Sequence, residues 1–204
     1  MTSAPVVLAF DTASACCAVA VIRGDHLLAT RVEPMTKGQA ERLLVICEEL
    51  LAEAGISLPE VDVIGVGTGP GNFTGIRISV SAARGLALGL GVPAVGVTAF
   101  DALGYGQTPP FACAIDARRD HVYFQSTAKD GSARDAALFH HAECPTHEGP
   151  LIGAGGDAAA VPTAVAIAHI AAKRRNETPE RPAPFYIRPA DAAPAKDAPP
   201  MILT

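Results

Sequence analysis

The chain has 204 residues, of which 49% are hydrophobic and 18% charged, and its formal net charge is −5. The length suffices for a core in one domain or two small ones, and the negative charge argues against independent binding to nucleic acid or anionic membranes. Five cysteines without C-x-x-C spacing are typical of a reduced compartment. Because the sequence shows neither a basic leader nor an apolar run of about 18 residues, we expect a cytoplasmic protein without a membrane partner.

Three short strands joined by tight turns are predicted near the N-terminus. Apolar, β-branched runs occupy residues 6–10, 16–22 and 26–32. Asp11 and the polar residues after it end the first run, and a Gly-containing turn separates the other two. This order predicts an antiparallel meander and differs from the βαβ opening of a dinucleotide-binding fold.

A helix is predicted over residues 36–54. Thr36 and Gln39 have the spacing of an N-terminal capping box. Val45 lies on the opposite, charged side of the predicted helix and Ile46 at the margin of its apolar stripe, which leaves two interpretations open: a partner surface, or an ordinary exposed valine. The apolar stripe itself consists of Ala40, Leu43, Leu44, Cys47, Leu50, Leu51 and Ala54.

The run GTGPGNFTGIR at residues 67–77 is the most informative stretch of the sequence. It joins a strand predicted at 61–66 to a helix predicted over 74–90. Amides at a helix N-terminus bind anions, but a phosphate loop needs Lys and then Ser or Thr after its last Gly, where Ile76 and Arg77 stand. We therefore favour a close-packed turn that carries an interaction surface over a phosphate site.

Small residues dominate the helix predicted over 74–90. Glycine inside a helix costs about 1 kcal/mol relative to alanine, so we expect a sheet or a partner helix to approach very closely. A strand at 94–97 then completes the order β-β-β-α-β-α-β, which predicts an α/β layer with a mixed sheet. The small residues are Gly75, Ser79, Ala82, Ala83, Gly85, Ala87 and Gly89.

The second half of the chain carries a weaker pattern. Strands predicted at 113–116 and 121–126 repeat the opening hairpin. A short strand with a Gly turn is predicted at 151–156, and a helix with Pro in its first turn at 162–173. From residue 178 onward prolines are dense, which predicts an extended and partly mobile tail.

The residues by themselves indicate no catalytic, cofactor-binding or metal-ligating set. Asp11 could hold a magnesium-bound phosphate or act as a base, and the favoured alternative is an Asx turn between antiparallel strands. The six histidines lack the i, i+4 spacing of helical metal ligands, and no cysteine or serine has a recognisable nucleophile context. Arg118 and Arg119 could meet a phosphate, but an arginine pair in a turn is usually solvated.

Three motifs together resemble one protein family. They are LAFDTAS at residues 8–14, GTGPGNFTGIRISVSAARGLALG at 67–89 and AIDARRDHVYFQ at 114–125. The combination closely resembles the bacterial TsaB (YeaZ) family, a subunit of the tRNA threonylcarbamoyladenosine machinery. Its usual run G-P-G-S-F-T-G-[LI]-R has Ser where Asn72 stands here, and residues 186–189 resemble its C-terminal signature.

The resemblance implies an actin-like ASKHA (ribonuclease H-like) α/β fold of two related lobes with mixed sheets, the second lobe reduced. We expect an N-terminal lobe with the partner-binding helices at residues 1–105. A reduced C-terminal lobe with the Pro-rich tail is expected at 106–204. The predicted meander and the repeated hairpin agree with this architecture.

The resemblance also implies a role as a non-catalytic subunit. Such a subunit scaffolds and activates the catalytic paralogue TsaD as a heterodimer, the ATPase TsaE joins them, and the adenosine beside the anticodon is modified. The chain would then meet tRNA only through the complex, and a homodimer is possible when it is alone. The partner-binding candidates on the two helices are Leu43, Val45, Ile46, Leu50, Gly75, Ile76, Ser79, Ala82, Ala83 and Leu86, and the motif loop comprises Asp11, Gly69, Pro70, Gly71, Phe73, Thr74 and Arg77.

The chain departs from the nucleotide-binding members of that superfamily at both phosphate loops. Where they have glycine, this chain has Ala13 in the first loop and Ala117 and Arg118 in the second. A Cβ atom at such positions crowds a triphosphate. We therefore expect no cofactor of its own, with ATP or ADP only at the interface of the complex.

The metal-binding histidines of the catalytic paralogue would fall where Gln39 and Leu43 stand here, so no metal centre is expected. The competing hypothesis is an autonomous ATP-dependent kinase or ATPase of the same fold that uses Asp11. Proteolysis is a third hypothesis, for which the sequence supplies neither a nucleophile nor a metal site.

Overall fold

The structure is a computed structural model that describes residues 4–177 and 180–187. An extended and partly mobile tail was predicted from residue 178 onward, and of that stretch residues 178–179 and 188–204 lie outside the described residues. The same holds for the last two positions of the C-terminal signature.

A five-stranded mixed sheet, the first sheet, forms the centre of the N-terminal half. Its strands are β1 (Val6–Asp11), β2 (Cys16–Arg23), β3 (His26–Pro34), β4 (Val63–Gly67) and β5 (Ala94–Val97), in the order β3-β2-β1-β4-β5. The strands β1, β2 and β3 pair antiparallel, whereas β4 pairs parallel with both β1 and β5. The predicted meander and the mixed sheet are confirmed.

Helices cover both faces of the first sheet. They are α1 (Gln39–Glu53), α2 (Phe73–Leu90), α3 (Ala99–Leu103) and α4 (Thr163–Arg174). Alternate residues of β1 point to opposite faces, so Leu8 packs with α1 and α2, while Ala9 packs with α4. Because both faces are covered, β1 is buried along its whole length.

A smaller second sheet follows in the chain. It contains β6 (Phe111–Asp116), β7 (His121–Thr127), β8 (Ala137–His140) and β9 (Leu151–Gly153), in the order β8-β7-β6-β9. The strands β6 and β7 form the predicted second hairpin, and β9 pairs parallel with β6. Among the α-helices and β-strands that the structure describes, the four-residue β8 and the five-residue α3 are those for which the sequence made no prediction.

The helix α4 follows the second sheet in sequence but packs on the first. Gly65 of β4 permits this approach, because a Cβ atom there would lie 3.0 Å from Ala171 and 3.1 Å from Ile167. Alanines on α4 keep the helix close to the strands. The division between residues 105 and 106 stays a prediction, but this helix, which was assigned to the second lobe, packs with the first sheet.

The N-terminus of α1 differs from the prediction. The helix begins at Gln39 after Gly38, whose φ is 83°, and no side chain caps it, so the capping box at Thr36 is wrong. The Gln39 side chain turns inward instead. Its Nε2 donates hydrogen bonds to the carbonyl oxygens of Ser14 and Cys16, at 2.9 and 3.0 Å. The side chain therefore ties α1 to the loop between β1 and β2.

Within residues 4–177 and 180–187, none of the helices combines the length and the apolar character needed to cross a bilayer.

Candidate functional site

The Gly-rich turn between β4 and α2 packs directly against the loop that joins β1 to β2. A Cβ atom at Gly67 would overlap the Asp11 carboxylate, and one at Gly75 would overlap the carbonyl oxygen of Thr12. At Gly71 an added Cβ would lie 2.6 Å from the Ala13 carbonyl oxygen. The close packing predicted for this turn is confirmed, and the neighbour that requires the glycines is the chain's own loop.

Asn72 starts α2 as its N-cap. Its Oδ1 accepts a hydrogen bond from the Gly75 N–H at 2.9 Å. Asn and Ser are both strong N-cap residues, so the departure from the usual family motif at this position preserves the cap.

The carboxyl group of Asp11 lies behind this turn rather than in solvent. The residue is 5% exposed, and Oδ1 accepts a hydrogen bond from the Ala13 N–H at 2.8 Å, which is the predicted Asx turn. Burial raises the pKa of the Asp11 carboxyl to about 6, although backbone hydrogen bonds from Ala13 and Ser14 oppose the shift. A carboxyl in this position is turned away from an open ligand site.

A cleft of about 390 Å³ lies between the loop after β1, the Gly-rich turn and the hairpin of the second sheet. Ala13 and Ala117 line it, so the two places where phosphate loops were expected to differ do face one cavity. The other lining residues are Ser14, Ala15, Pro70, Gly71, Asn72, Phe73, Ile115, Asp116, Arg118, Tyr123, Phe185, Tyr186 and Ile187.

The hairpin that borders this cleft has an unusual backbone. Arg118, Arg119 and Asp120 follow one another with φ values of 62°, 51° and 57°, a left-handed conformation that non-glycine residues seldom adopt. The Asp116 carboxylate accepts from the Arg118 N–H at 2.8 Å, and the Arg118 carbonyl accepts from the His121 N–H at 3.1 Å. These bonds hold Arg118 at the edge of the cleft, and both Arg118 and Arg119 are exposed.

The segment 180–187 folds back onto the first lobe. The Phe185 N–H donates to the Thr68 carbonyl at 2.8 Å. The Tyr186 ring stacks on Phe73 with centroids 4.9 Å apart. Arg77 Nε donates to the Tyr186 hydroxyl at 3.1 Å, and its guanidinium lies 3.9 Å from the centre of the Phe73 ring. The sequence indicated both motifs but not that they contact each other.

Most of the candidate partner residues point into the core, which corrects their assignment to a surface. On α1 the half-buried Arg42 pairs with Glu33 of β3 at 2.8 Å. In this rotation of the helix Ile46 is fully buried and Leu44, assigned to the buried stripe, is 44% exposed. The candidates that lie in the core are Leu43, Ile46, Leu50, Gly75, Ile76, Ser79 and Ala83.

The remaining candidates lie nearer the surface. Val45 is 43% exposed, and Ala82 and Leu86 are half-buried. Leu88, which was not among the predicted partner residues, is 83% exposed on α2. Partner binding by the outward faces of α1 and α2 stays a prediction, and Leu44, Val45 and Leu88 are the large apolar side chains that these faces present.

The close approach expected at the α2 glycines occurs at only one end of the helix. Gly75 is packed against the β1–β2 loop, whereas a Cβ atom at Gly85 or Gly89 would meet no described atom within 4 Å. The close approach is therefore confirmed at Gly75, whereas no described element of this chain approaches Gly85 or Gly89 and a partner helix at those two positions stays a prediction.

Among the residues that the structure describes, no three His, Cys, Asp or Glu side chains are grouped so that they could hold a metal ion.

Comparison with known proteins shows that the similarity to this family extends beyond the three motifs. The sequence profile of the family described as TsaD, tRNA N6-adenosine threonylcarbamoyltransferase, matches residues 33–146, more than half of the chain. Proteins described as tRNA threonylcarbamoyladenosine biosynthesis protein TsaB are 33% identical over 138 residues in Haemophilus influenzae and over 129 residues in Escherichia coli. These alignments cover 65% and 61% of this chain but 58% and 55% of the relatives, so the chain matches little more than half of their length.

A solved structure shows the same fold. A Pseudomonas aeruginosa protein, described as uncharacterised with similarity to peptidase YeaZ, superimposes with a TM-score of 0.73 at 28% identity. The superposition covers 90% of this chain and 100% of that one.

The first sheet begins with an antiparallel meander, and a cleft separates it from the smaller second sheet. This architecture defines an actin-like ASKHA protein whose second lobe is reduced. The chain belongs to the tRNA N6-adenosine threonylcarbamoyltransferase family, in its TsaB (YeaZ) branch.

Proposed function

We propose that this chain is a non-catalytic, cytoplasmic subunit of tRNA threonylcarbamoyladenosine biosynthesis that scaffolds and activates a TsaD-type paralogue by binding it. The names of its TsaB relatives support the pathway. The observation that carries the binding role is the set of exposed apolar side chains, Leu44, Val45 and Leu88, on helices whose inner faces are already buried.

The outward face of α2 is suited to a closely packed partner helix. Leu88 is 83% exposed, and full burial of a leucine side chain contributes about 1.5–3 kcal/mol. Gly85 and Gly89 flank it with open space in front of them, so a second backbone can approach there. The same face would serve a homodimer when the paralogue is absent.

The cleft supports a role without nucleotide turnover by this chain alone. Ala13 and Ala117 place Cβ atoms in this cleft, at positions that the family resemblance assigns to the phosphate loops, where a Cβ atom would crowd a triphosphate. In this proposal ATP or ADP binds at the interface of the complex, the ATPase TsaE joins there, and tRNA is reached only through the assembly.

Binding to the paralogue tests the proposal directly. We expect a stable heterodimer with TsaD in size-exclusion chromatography with light scattering, and a micromolar or tighter Kd by calorimetry. Leu88→Glu is expected to raise that Kd more than about tenfold, because the leucine contact is lost and a charge is left without water.

Leu27→Glu is the matched control, because Leu27 is 47% exposed on β3 at the edge of the first sheet. Its Kd is expected to equal that of the wild type. Absence of a heterodimer at micromolar concentration contradicts the proposed function. A heterodimer that is equally weakened by both variants, or by neither, contradicts only the assignment of the surface.

ATP turnover by the isolated chain discriminates the alternative, an autonomous kinase or ATPase. We expect no magnesium-dependent hydrolysis, because the Asp11 carboxyl is buried behind the turn. Hydrolysis by the wild type that Asp11→Ala abolishes would overturn the proposal.

A further inference from the structure

The segment 180–187 contacts both lobes. On the first lobe, the Phe185 N–H donates to the Thr68 carbonyl that follows β4. On the second lobe, Ile187 packs against the apolar cluster of the second sheet that includes Cys113 and Tyr123. Two residues separated by one position thus join the two sheets.

The side chain between them is anchored on the Gly-rich motif. Tyr186 stacks on Phe73 at 4.9 Å and accepts the hydrogen bond from Arg77 at 3.1 Å. The Arg77 guanidinium lies over the other ring of the pair, Phe73, at 3.9 Å. Stacking, a cation–π contact and a hydrogen bond therefore converge on the first turn of α2.

The same segment forms one wall of the interlobe cleft. Phe185, Tyr186 and Ile187 line it opposite the loop after β1 and the hairpin that carries Arg118. Loss of this wall would open the cleft on one side and remove a connection between the sheets.

We propose that residues 180–187 form a clasp, in which the seating of Tyr186 on Phe73 and Arg77 holds the two lobes together and sets the opening of the cleft between them. The first turn of α2 is then an internal docking site for Tyr186, which gives Phe73 and Arg77 of the motif a role. The clasp concerns this chain alone and does not depend on the proposed function.

The buried thiols of the chain report on the clasp. Cys113 is 2% exposed in the cluster against which Ile187 packs, and burial raises the pKa of its thiol to about 12, so it reacts slowly while the clasp is seated. Cys17 and Cys47 are buried in the core beneath α1 and serve as internal controls.

Tyr186→Ala is the main variant, and alkylation by iodoacetamide is followed for each cysteine by peptide mass spectrometry. Cys113 is expected to react about ten to a hundred times faster than in the wild type, because the stack on Phe73 and the hydrogen bond from Arg77 are lost. Cys17 and Cys47 are expected to keep their rates. Tyr186→Phe retains the stack and loses only the hydroxyl, and its Cys113 rate is expected to stay within about fivefold of the wild type.

Hydrogen exchange gives the second readout. In Tyr186→Ala, amides at 66–77 and 111–118, on the two sides of the cleft, are expected to exchange faster, while those at 17–34 remain unchanged. If faster exchange is confined to 180–187 and Cys113 keeps its rate, the segment is a passive strap and the proposal is wrong.

Parallel acceleration of Cys17, Cys47 and Cys113 in Tyr186→Ala would mean global unfolding. In that case the milder variant Arg77→Gln tests the clasp, because Arg77 is exposed and its replacement leaves the Phe73 ring in place. If Cys17 keeps its wild-type alkylation rate in Arg77→Gln, an alkylation rate of Cys113 at least about threefold above that of the wild type supports the clasp. A smaller increase overturns the proposal.

Discussion

Replacement of Gly75 by alanine is expected to destabilise the fold by about 3 kcal/mol or more. The added Cβ would overlap the Thr12 carbonyl oxygen, and the opposing atom belongs to backbone, so no rotamer change can relieve the overlap. The Thr12 hydroxyl also donates to the Gly75 carbonyl at 2.6 Å, and Asn72 caps the Gly75 N–H. A shift of α2 large enough to admit the methyl group would break the hydrogen bond between Thr12 and Gly75.

Gly85→Ala on the same helix is the matched control, with an effect of opposite sign. No described atom lies within 4 Å of a Cβ built there. Alanine is a better helix former than glycine by about 1 kcal/mol, so this variant is expected to be more stable than the wild type by about that amount. Urea unfolding followed by circular dichroism measures both variants.

Comparing the two variants separates helix propensity from tertiary packing, because two glycines of the same helix receive the same substitution. If Gly75→Ala and Gly85→Ala shift the unfolding midpoint equally, helix propensity decides both, and the packing of the β1–β2 loop on α2 is not what requires Gly75. Stability of Gly75→Ala within about 1 kcal/mol of the wild type would contradict the packing directly.

The elements with a strong local pattern could be predicted from the sequence. The short apolar, β-branched runs predicted the meander and the second hairpin, and the Gly-rich run predicted the tight entry to α2. The β8 strand and α3 were missed although β5, which is as short as β8, was predicted, because elements of four or five residues show too little of a period to be located consistently. Local patterning therefore located the long elements and the turn at the centre of the site.

The rotation of a helix about its axis was harder to predict than its presence. Ile46 and Leu44 both lie near the margin of the apolar stripe, and the wheel alone placed them the wrong way round. The Arg42 pair with Glu33 of β3 is a tertiary contact that the wheel does not contain. The buried members of the candidate interface set were misplaced for the same reason, since their assignment depended on which side of each helix faces the sheet.

Contacts between distant segments lay beyond the sequence patterns. Arg77 and Tyr186 are 109 positions apart, and nothing in either motif indicates the other as a partner. The Gln39 side chain was read as half of a capping box, but it binds carbonyl groups of a loop more than 20 positions earlier in the chain. The sequence motifs include Arg77, Tyr186 and Gln39, but only the fold determines which groups each of them contacts.

The site also gives the motif a physical meaning. The glycines at 67, 71 and 75 are required by the loop at 11–13 of the same chain, so no ligand is needed to explain them. Phe73 and Arg77 contact Tyr186. The run that first suggested a phosphate loop is thus explained by intramolecular packing.

The Asp11→Asn variant is expected to gain stability relative to the wild type as the pH rises from about 4 to about 7. The native pKa of about 6 exceeds the reference value of 3.8, so between these values the folded state binds the proton more tightly than the unfolded state. The unfolding free energy of the wild type therefore falls as the pH rises through this window, by about 3 kcal/mol in total. Asparagine does not titrate, so the variant lacks this fall.

The difference in unfolding free energy between variant and wild type, measured by urea unfolding at several pH values, isolates the effect from any constant cost of the amide. Asp130→Asn is a control of opposite sign, because hydrogen bonds from Ser132 lower the pKa of the exposed Asp130 carboxyl. There the wild type gains stability over the variant as the pH rises through the acid range. A flat difference for Asp11→Asn between pH 4 and 7 would mean that this carboxyl is ionised in the folded protein as readily as in water, and a magnesium-ligand role for Asp11 would regain support.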